Sequence, residues 1–322
     1  MLGIGELKER IKITDSTVEC PVKGCSERVE RQRGVFKKDE RFKCPKHNIY
    51  ISPSTFEYSI EGENLLWTDA DDKDLLDKIK LVKRECRMAR DNSEDAVTWN
   101  IFRFLERKDL ISAFLSKVTG FTVQEPEVIY WSYSQSQNRS WDMLEKARKE
   151  FELVPSKGSE PDIMIVSKNA LIIIESKLTA TNEKGPSNQN VENKYITGGQ
   201  GWWTDVFYSD FKTVAMVEKK YELSRFWLLG TWMAKQKQKD LDFCLVNLVL
   251  SEREKDIETV FRRHIKENQT RRFVRITWED IYKQILNHDL SGADRDMIIK
   301  YFRNKTIGYD GNGRLQRAFS IL

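Results

Sequence analysis

The chain has 322 residues, 39% hydrophobic and 11% aromatic, long and apolar enough for one large or two smaller cored domains and not for disorder, despite 32% charged residues. Lys and Arg number 54 against 50 Asp and Glu, a net charge of +4, so overall electrostatics do not announce a nucleic-acid partner. No apolar run reaches the roughly 18 residues of a membrane helix, and the opening MLGIGELKERIK lacks the apolar stretch of a signal peptide, so no membrane partner and a cytoplasmic, intracellular location are expected.

Three of the five cysteines and one of three histidines fall near the N-terminus, as Cys20-x4-Cys25, eighteen residues, then Cys44-x2-His47. CPVKGC and CPKH are knuckle-like: Pro and Gly let the chain curl so that two ligands point at one ion. The set Cys20, Cys25, Cys44 and His47 suits tetrahedral Zn²⁺, and a small segment with little core gains folding energy from such an ion. Free thiols are the alternative. Four protein ligands leave no open coordination position, so the zinc would be structural. Between Cys20 and His47 stand nine basic and four acidic residues, a local excess that marks a basic module. Residues 49–66 alternate as one or two strands closing it, and we set its boundary at 1–66.

A connector, 67–92, follows, with a helix expected from Lys73 to Arg90 whose Leu75, Leu76, Ile79, Val82 and Cys86 form one buried stripe. Ser93 is a suitable N-cap for the helix SEDAVTWNIFRFLERKD, whose acids suit the positive helix end. A second helix, Leu110 to Thr119, precedes a strand near Phe121 to Tyr133, and another helix spans Trp141 to Phe151.

The segment PDIMIVSKNALIIIESK, Pro161 to Lys177, reads as a hairpin. Two apolar, β-branched runs flank the turn Ser167-Lys168-Asn169. With Lys168-Asn169 as the loop, Asp162 lies opposite Glu175 and Glu160 opposite Lys177. The two-residue side-chain period puts Asp162, Glu175 and Lys177 on one face at one end. Two adjacent carboxylates hold a hard cation such as Mg²⁺, and a nearby lysine can orient water or neutralise a scissile phosphate. A surface hairpin with ordinary ion pairs is the plainer reading.

Pro161-Asp162, twelve residues, then Glu175-Ser176-Lys177 resembles the signature of the PD-(D/E)xK nuclease superfamily, over roughly Ser93 to Trp278. The resemblance implies an α/β domain, 93–322, with a restriction-endonuclease-like mixed β-sheet flanked by helices, in the order helix, three strands, helix, strand. It implies Mg²⁺ on Asp162 and Glu175, Lys177 activating water, and a further acid on the first core helix, for which Glu94 is the candidate and Glu106 a weaker rival. A Gln or basic residue on the later helix points to Gln200, with Lys194 behind it.

Beyond Lys177 a long polar loop leads to an aromatic helical stretch in which Trp202 and Trp203 either stack on bases or pack in the core. A helix near Leu223 to Lys235, a buried strand 242–250 containing Cys244, helix 252–267, strand 271–277 and helix 279–287 complete the layer. Basic residues in the tail, Lys300, Arg303, Lys305, Arg314 and Arg317, either line a phosphate path or are solvated. The function expected is Mg²⁺-dependent hydrolysis of phosphodiester bonds in DNA, by an endonuclease of restriction or phage-defence type. RNA is left open as a second substrate, and a homodimer is left open. The alternatives are a non-catalytic nucleic-acid-binding protein of the same fold and an RNA-processing or junction-resolving nuclease.

Overall fold

The computed structural model describes residues 6–83, 87–153, 160–188, 191–236 and 240–321. In chain order it forms β1 (Thr17–Glu19), β2 (Arg28–Glu30), β3 (Lys43–Cys44), β4 (Ile49–Ile51), β5 (Phe56–Tyr58), α1 (Ala70–Val82), α2 (Glu94–Arg107), α3 (Ile111–Thr119), β6 (Glu127–Tyr130), β7 (Tyr133–Ser134), β8 (Arg139–Ser140) and α4 (Asp142–Glu150). Then come β9 (Ile163–Val166), β10 (Ala170–Ser176), α5 (Glu192–Gly201), α6 (Trp203–Val206), α7 (Tyr221–Lys235), β11 (Asp242–Val249), α8 (Ile257–Arg262), β12 (Arg271–Thr277), α9 (Trp278–Asn287), α10 (Ala293–Asn304), β13 (Thr306–Tyr309) and β14 (Leu315–Arg317).

The chain divides into two compact units. The first joins residues 1–73, 85–105 and 278–322; the second joins 74–84 and 106–277. This differs from the linear division 1–66, 67–92 and 93–322, because the C-terminal segment folds back into the first unit. There Lys305, fully buried, lies 3.5 Å from the buried Asp91, Thr306 Oγ1 donates to the same carboxylate, and Tyr309 N donates to Ser54 O at 2.8 Å. Lys305 is therefore a core cation rather than part of a phosphate path. Arg317 is likewise engaged, donating to Asn304 O at 2.8 Å.

The second unit is built on a seven-stranded mixed sheet in the order β12-β11-β10-β9-β6-β7-β8. β6, β9 and β10 run antiparallel, whereas β10, β11 and β12 are parallel. One face carries Met164, Leu171, Ile173, Leu245 and Phe273, packed with Phe226 and Trp227 of α7 in a single apolar cluster. Close approach of α7 depends on Gly230: a Cβ there would lie 2.1 Å from the Phe243 ring and 3.0 Å from Ile173.

Local chemistry trims several expected elements. Ser93 Oγ accepts from Ala96 N at 3.1 Å, so α2 starts at the expected cap. β6 begins only at Glu127, because Pro126 lacks an N–H and Glu125 has a left-handed φ of 48°. The helix expected over 252–267 shrinks to α8, interrupted by the left-handed Glu254 at φ 47°. α1 ends at Val82, and Cys86 lies outside the described residues. Cys244 is buried in β11. No helix among the described residues is long and apolar enough to cross a membrane.

Candidate functional site

β9 and β10 pair with Leu171 opposite Val166 and Ile174 opposite Ile163, the register expected from the Lys168-Asn169 turn. Continued by one step, it sets Asp162 across from Glu175. Glu175 and Lys177 extend the row of Leu171 and Ile173, and so emerge on the face that α7 covers. The first turn of α7 brings a third carboxylate, Glu222. Lys177 Nζ hydrogen-bonds Glu175 Oε1 and lies 3.3 Å from Glu222 Oε2. The group is well sheltered: Glu175 is 3% and Lys177 7% exposed.

Asp162 is positioned by its neighbours. Its Oδ2 accepts from Ser176 N at 2.9 Å and Ser176 Oγ at 2.8 Å, and its Oδ1 accepts from Trp131 Nε1 at 3.3 Å. Burial pushes the Glu175 carboxyl well above the ordinary carboxylate range; the Lys177 ammonium opposes this, and the charges of Asp162 and Glu222 reinforce it. Glu175 Oε2 is buried without a hydrogen bond among the described residues, and Glu222 Oε2, likewise without one, is met only by the Lys177 charge at 3.3 Å. Orphaned carboxylate oxygens beside a like-charged neighbour are what a hard cation and its waters satisfy. Among the described residues, Asp162, Glu175 and Glu222 are not drawn together closely enough to share an ion as the cysteine cluster described below is.

Behind the group, Asn247 of β11 stands in register with Glu175. Its Nδ2 donates to Glu254 at 2.8 Å, and the fully buried Asn182 donates Nδ2 to both Asn247 Oδ1 (2.8 Å) and Glu254 (2.9 Å). This amide–carboxylate network ties the loop after Lys177 to the parallel strands. Beside it opens a cleft of about 690 Å³ lined by Glu183, Lys219, Lys220, Arg253 and Glu254 among others.

The remaining expected residues sit elsewhere. Glu94 opens α2 in the first unit. Glu106, in the second unit, accepts from Tyr130 Oη at 2.9 Å and Gln135 Nε2 at 2.7 Å; Tyr130 adjoins Trp131, the donor to Asp162. Glu160 lies 3.8 Å from the buried Arg148. Gln200 is exposed on a left-handed backbone (φ 61°) at a kink in α5, outside the buried carboxylate–lysine group. Lys194 lies over the Tyr195 ring, its ammonium disfavoured by burial and by Arg225. Trp203 is core, stacked on Phe207 at 3.8 Å between centroids, and Trp202 donates to Thr231 at 3.0 Å. Glu222 escaped the sequence reading: an acid in the first turn of a helix is ordinarily a dipole complement. Asn247 did leave a signal, as a lone amide inside the apolar run DFCLVNLVL.

In the first unit Cys20, Cys25, Cys44 and His47 gather with their ligand atoms within 4.8 Å of one another. Cys20 Sγ and Cys44 Sγ each lie 3.6 Å from His47 Nδ1, and Cys25 Sγ lies 3.9 Å from Cys44 Sγ. Gly24, at φ 78°, supplies the left-handed turn that folds Cys25 back toward Cys20. Burial, with Cys44 and Cys25 alongside, raises the Cys20 thiol far above its ordinary range. Three buried thiols and a half-buried imidazole converging on one point are compatible with a structural metal site. The surrounding basic residues are largely matched: Lys23, Arg33, Lys38, Arg41, Lys43 and Lys46 each lie within 3.3 Å of a carboxylate.

No protein-family model, curated protein or solved structure matches the chain.

Proposed function

We propose that the protein is a divalent-metal-dependent nuclease acting on DNA, its second unit a restriction-endonuclease-like domain and its first unit a zinc-stabilised module. The observation that carries this reading is the convergence of half-buried Asp162 and Glu222 with buried Glu175 and Lys177 at one end of the β9–β10 hairpin, with Glu175 Oε2 buried and without a hydrogen bond among the described residues. The succession of a helix, antiparallel β6, β9 and β10, helix α7 and parallel β11 supports the same fold assignment. Asp162 and Glu175, with Glu222, would hold Mg²⁺, which when bound polarises a phosphoryl oxygen and acidifies water. Ser176 and Trp131 fix the Asp162 carboxylate against rotation. Lys177, on the same row, orients the attacking water and offsets charge developing on the phosphate.

Zinc is the metal that best fits the first unit. Tetrahedral bonds of about 2.3 Å to sulfur and about 2.0–2.1 Å to nitrogen imply S···N and S···S separations of about 3.6 and 3.8 Å, close to the 3.6 and 3.9 Å observed.

The test is incubation of the protein with supercoiled, linear and single-stranded DNA, and with RNA, with and without Mg²⁺. Mg²⁺-dependent DNA cleavage is expected. Asp162→Asn, Glu175→Gln and Lys177→Ala should each abolish it while DNA binding in Ca²⁺ persists, and their combined effect should be no larger than the single ones. Wild-type rates in Asp162→Asn or Lys177→Ala would overturn the assignment; binding without cleavage by the wild type would favour the non-catalytic reading.

A further inference from the structure

The first unit contains a concavity of about 220 Å³, lined by Phe36, Ser52, Thr55, Glu57, Arg90 and Asn92 among others. We propose that it is a binding pocket for a single nucleobase carrying an exocyclic amine, with guanine the best-matched base.

The pocket is built on rigid backbone. Residues 89–91 add to the edge of β5, with Tyr58 N donating to Ala89 O at 2.9 Å and Asp91 N donating to Phe56 O at 3.0 Å. Glu57 and Arg90 therefore become cross-strand neighbours, Arg90 Nε donating to Glu57 Oε2 at 3.2 Å. Glu57 is only 7% exposed and its other oxygen lies 2.7 Å from Lys38 Nζ, so each of its oxygens faces a cation. A sheltered carboxylate beside a guanidinium presents acceptor and donor side by side. That pair matches a base edge on which N–H donors adjoin a carbonyl acceptor. Guanine offers two adjacent donors to the carboxylate and its carbonyl to the Nη groups of Arg90, whereas thymine offers one donor flanked by acceptors.

The remaining walls suit a flat ring. The half-buried Phe36 provides an aromatic face, with the Arg90 guanidinium 5.7 Å from its centroid. Stacking on such a face is the usual partner of edge recognition when a base is held outside a helix. The volume lies below the roughly 300–1,000 Å³ of pockets for drug-sized ligands and suits one ring system. A water-filled crevice would share the volume but would not discriminate between bases.

The same base chemistry comes from two sources, a free nucleotide or a base turned out of a polynucleotide. Calorimetric titration of the full chain, without added Mg²⁺, uses guanosine and thymidine 5′-monophosphates, and two duplexes carrying guanine or thymine opposite an abasic site. Preference for guanosine monophosphate assigns the free nucleotide; preference for guanine only in the duplex assigns a flipped base. In either case Glu57→Gln and Phe36→Ala should weaken the preferred ligand about tenfold or more, as loss of a charge-assisted hydrogen bond or a stacking face does. Phe36→Ala, at a half-buried position, keeps the test valid should Glu57→Gln fail to fold. Equal affinity for guanine and thymine ligands, no binding of any of the four, or undiminished binding by folded Phe36→Ala overturns the proposal.

Discussion

Replacing Glu175 by Gln should stabilise the protein at neutral pH while removing its response to Mg²⁺. Glu175 is 3% exposed and shares its surroundings with Asp162 and Glu222. Burial raises its folded pKa above the unfolded value of about 4.3. Above that unfolded value the unfolded chain holds fewer protons at this site than the native one. Wild-type stability is therefore fully present below about pH 4.3 and is lost as pH rises through the folded value. Gln mimics the neutral carboxyl, so the variant should gain on wild type as pH rises from 5 to 8 and match it near pH 4.5. Each tenfold difference in proton affinity is worth about 1.4 kcal/mol, or about 3–6 °C in the Tm of a domain of roughly 150–250 residues. A divalent cation should relieve the same repulsion, adding about 1.4 kcal/mol to wild type for each tenfold excess of free ion over Kd. Differential scanning calorimetry over that pH range, with and without Mg²⁺, reads both effects. A variant less stable than wild type at pH 8, or an equal Mg²⁺ response in both proteins, would refute the account of this carboxylate.

Purified without added metal, the chain should carry one zinc by elemental analysis, and Cys44→Ser should lose it and unfold the first unit well before the second; retained zinc would show that the four ligands do not act as one site. Gly230→Ala places a Cβ 2.1 Å from Phe243 and should cost about 1–3 kcal/mol or more in urea denaturation, an unchanged midpoint showing that α7 can lift from the sheet without penalty. Lys305→Met leaves the buried Asp91 without its cation and should destabilise the chain by about 3–5 kcal/mol, much of it recovered when Asp91→Leu is added; no recovery would mean that Lys305 acts through packing alone.

What could be read in the sequence depended on how local the determining interactions are. A three-residue polar turn between two apolar runs sufficed for the hairpin register, because a slip by one residue would send Ile163, Ile165, Ile172 and Ile174 to the opposite faces. The cysteine–histidine spacings were legible for the same reason, each pair being closed by its own knuckle. The return of residues 278–322 to the first unit was not. It depends on single polar groups more than two hundred positions apart, Lys305 on Asp91 and Tyr309 on Ser52, which look like ordinary charges and turns in the sequence.

Glu222 was hidden by distance of another kind. It reaches Lys177 because α7 lies across the sheet with its first turn over the row Leu171, Ile173, Glu175, an approach that depends on the missing side chain of Gly230. A helix-first-turn acid has a sufficient local explanation, so nothing in its neighbourhood asks for another. The unmet valence is visible only from the buried side: among the described residues Glu175 Oε2 has no hydrogen bond, and Lys177 is shared between Glu175 and Glu222. An arrangement of three acids around one base, with Glu175 and Lys177 buried and Asp162 and Glu222 half-buried, is costly unless a further positive charge visits it. That electrostatic debt, more than the short sequence signature, is the observation on which the proposed metal-dependent chemistry rests.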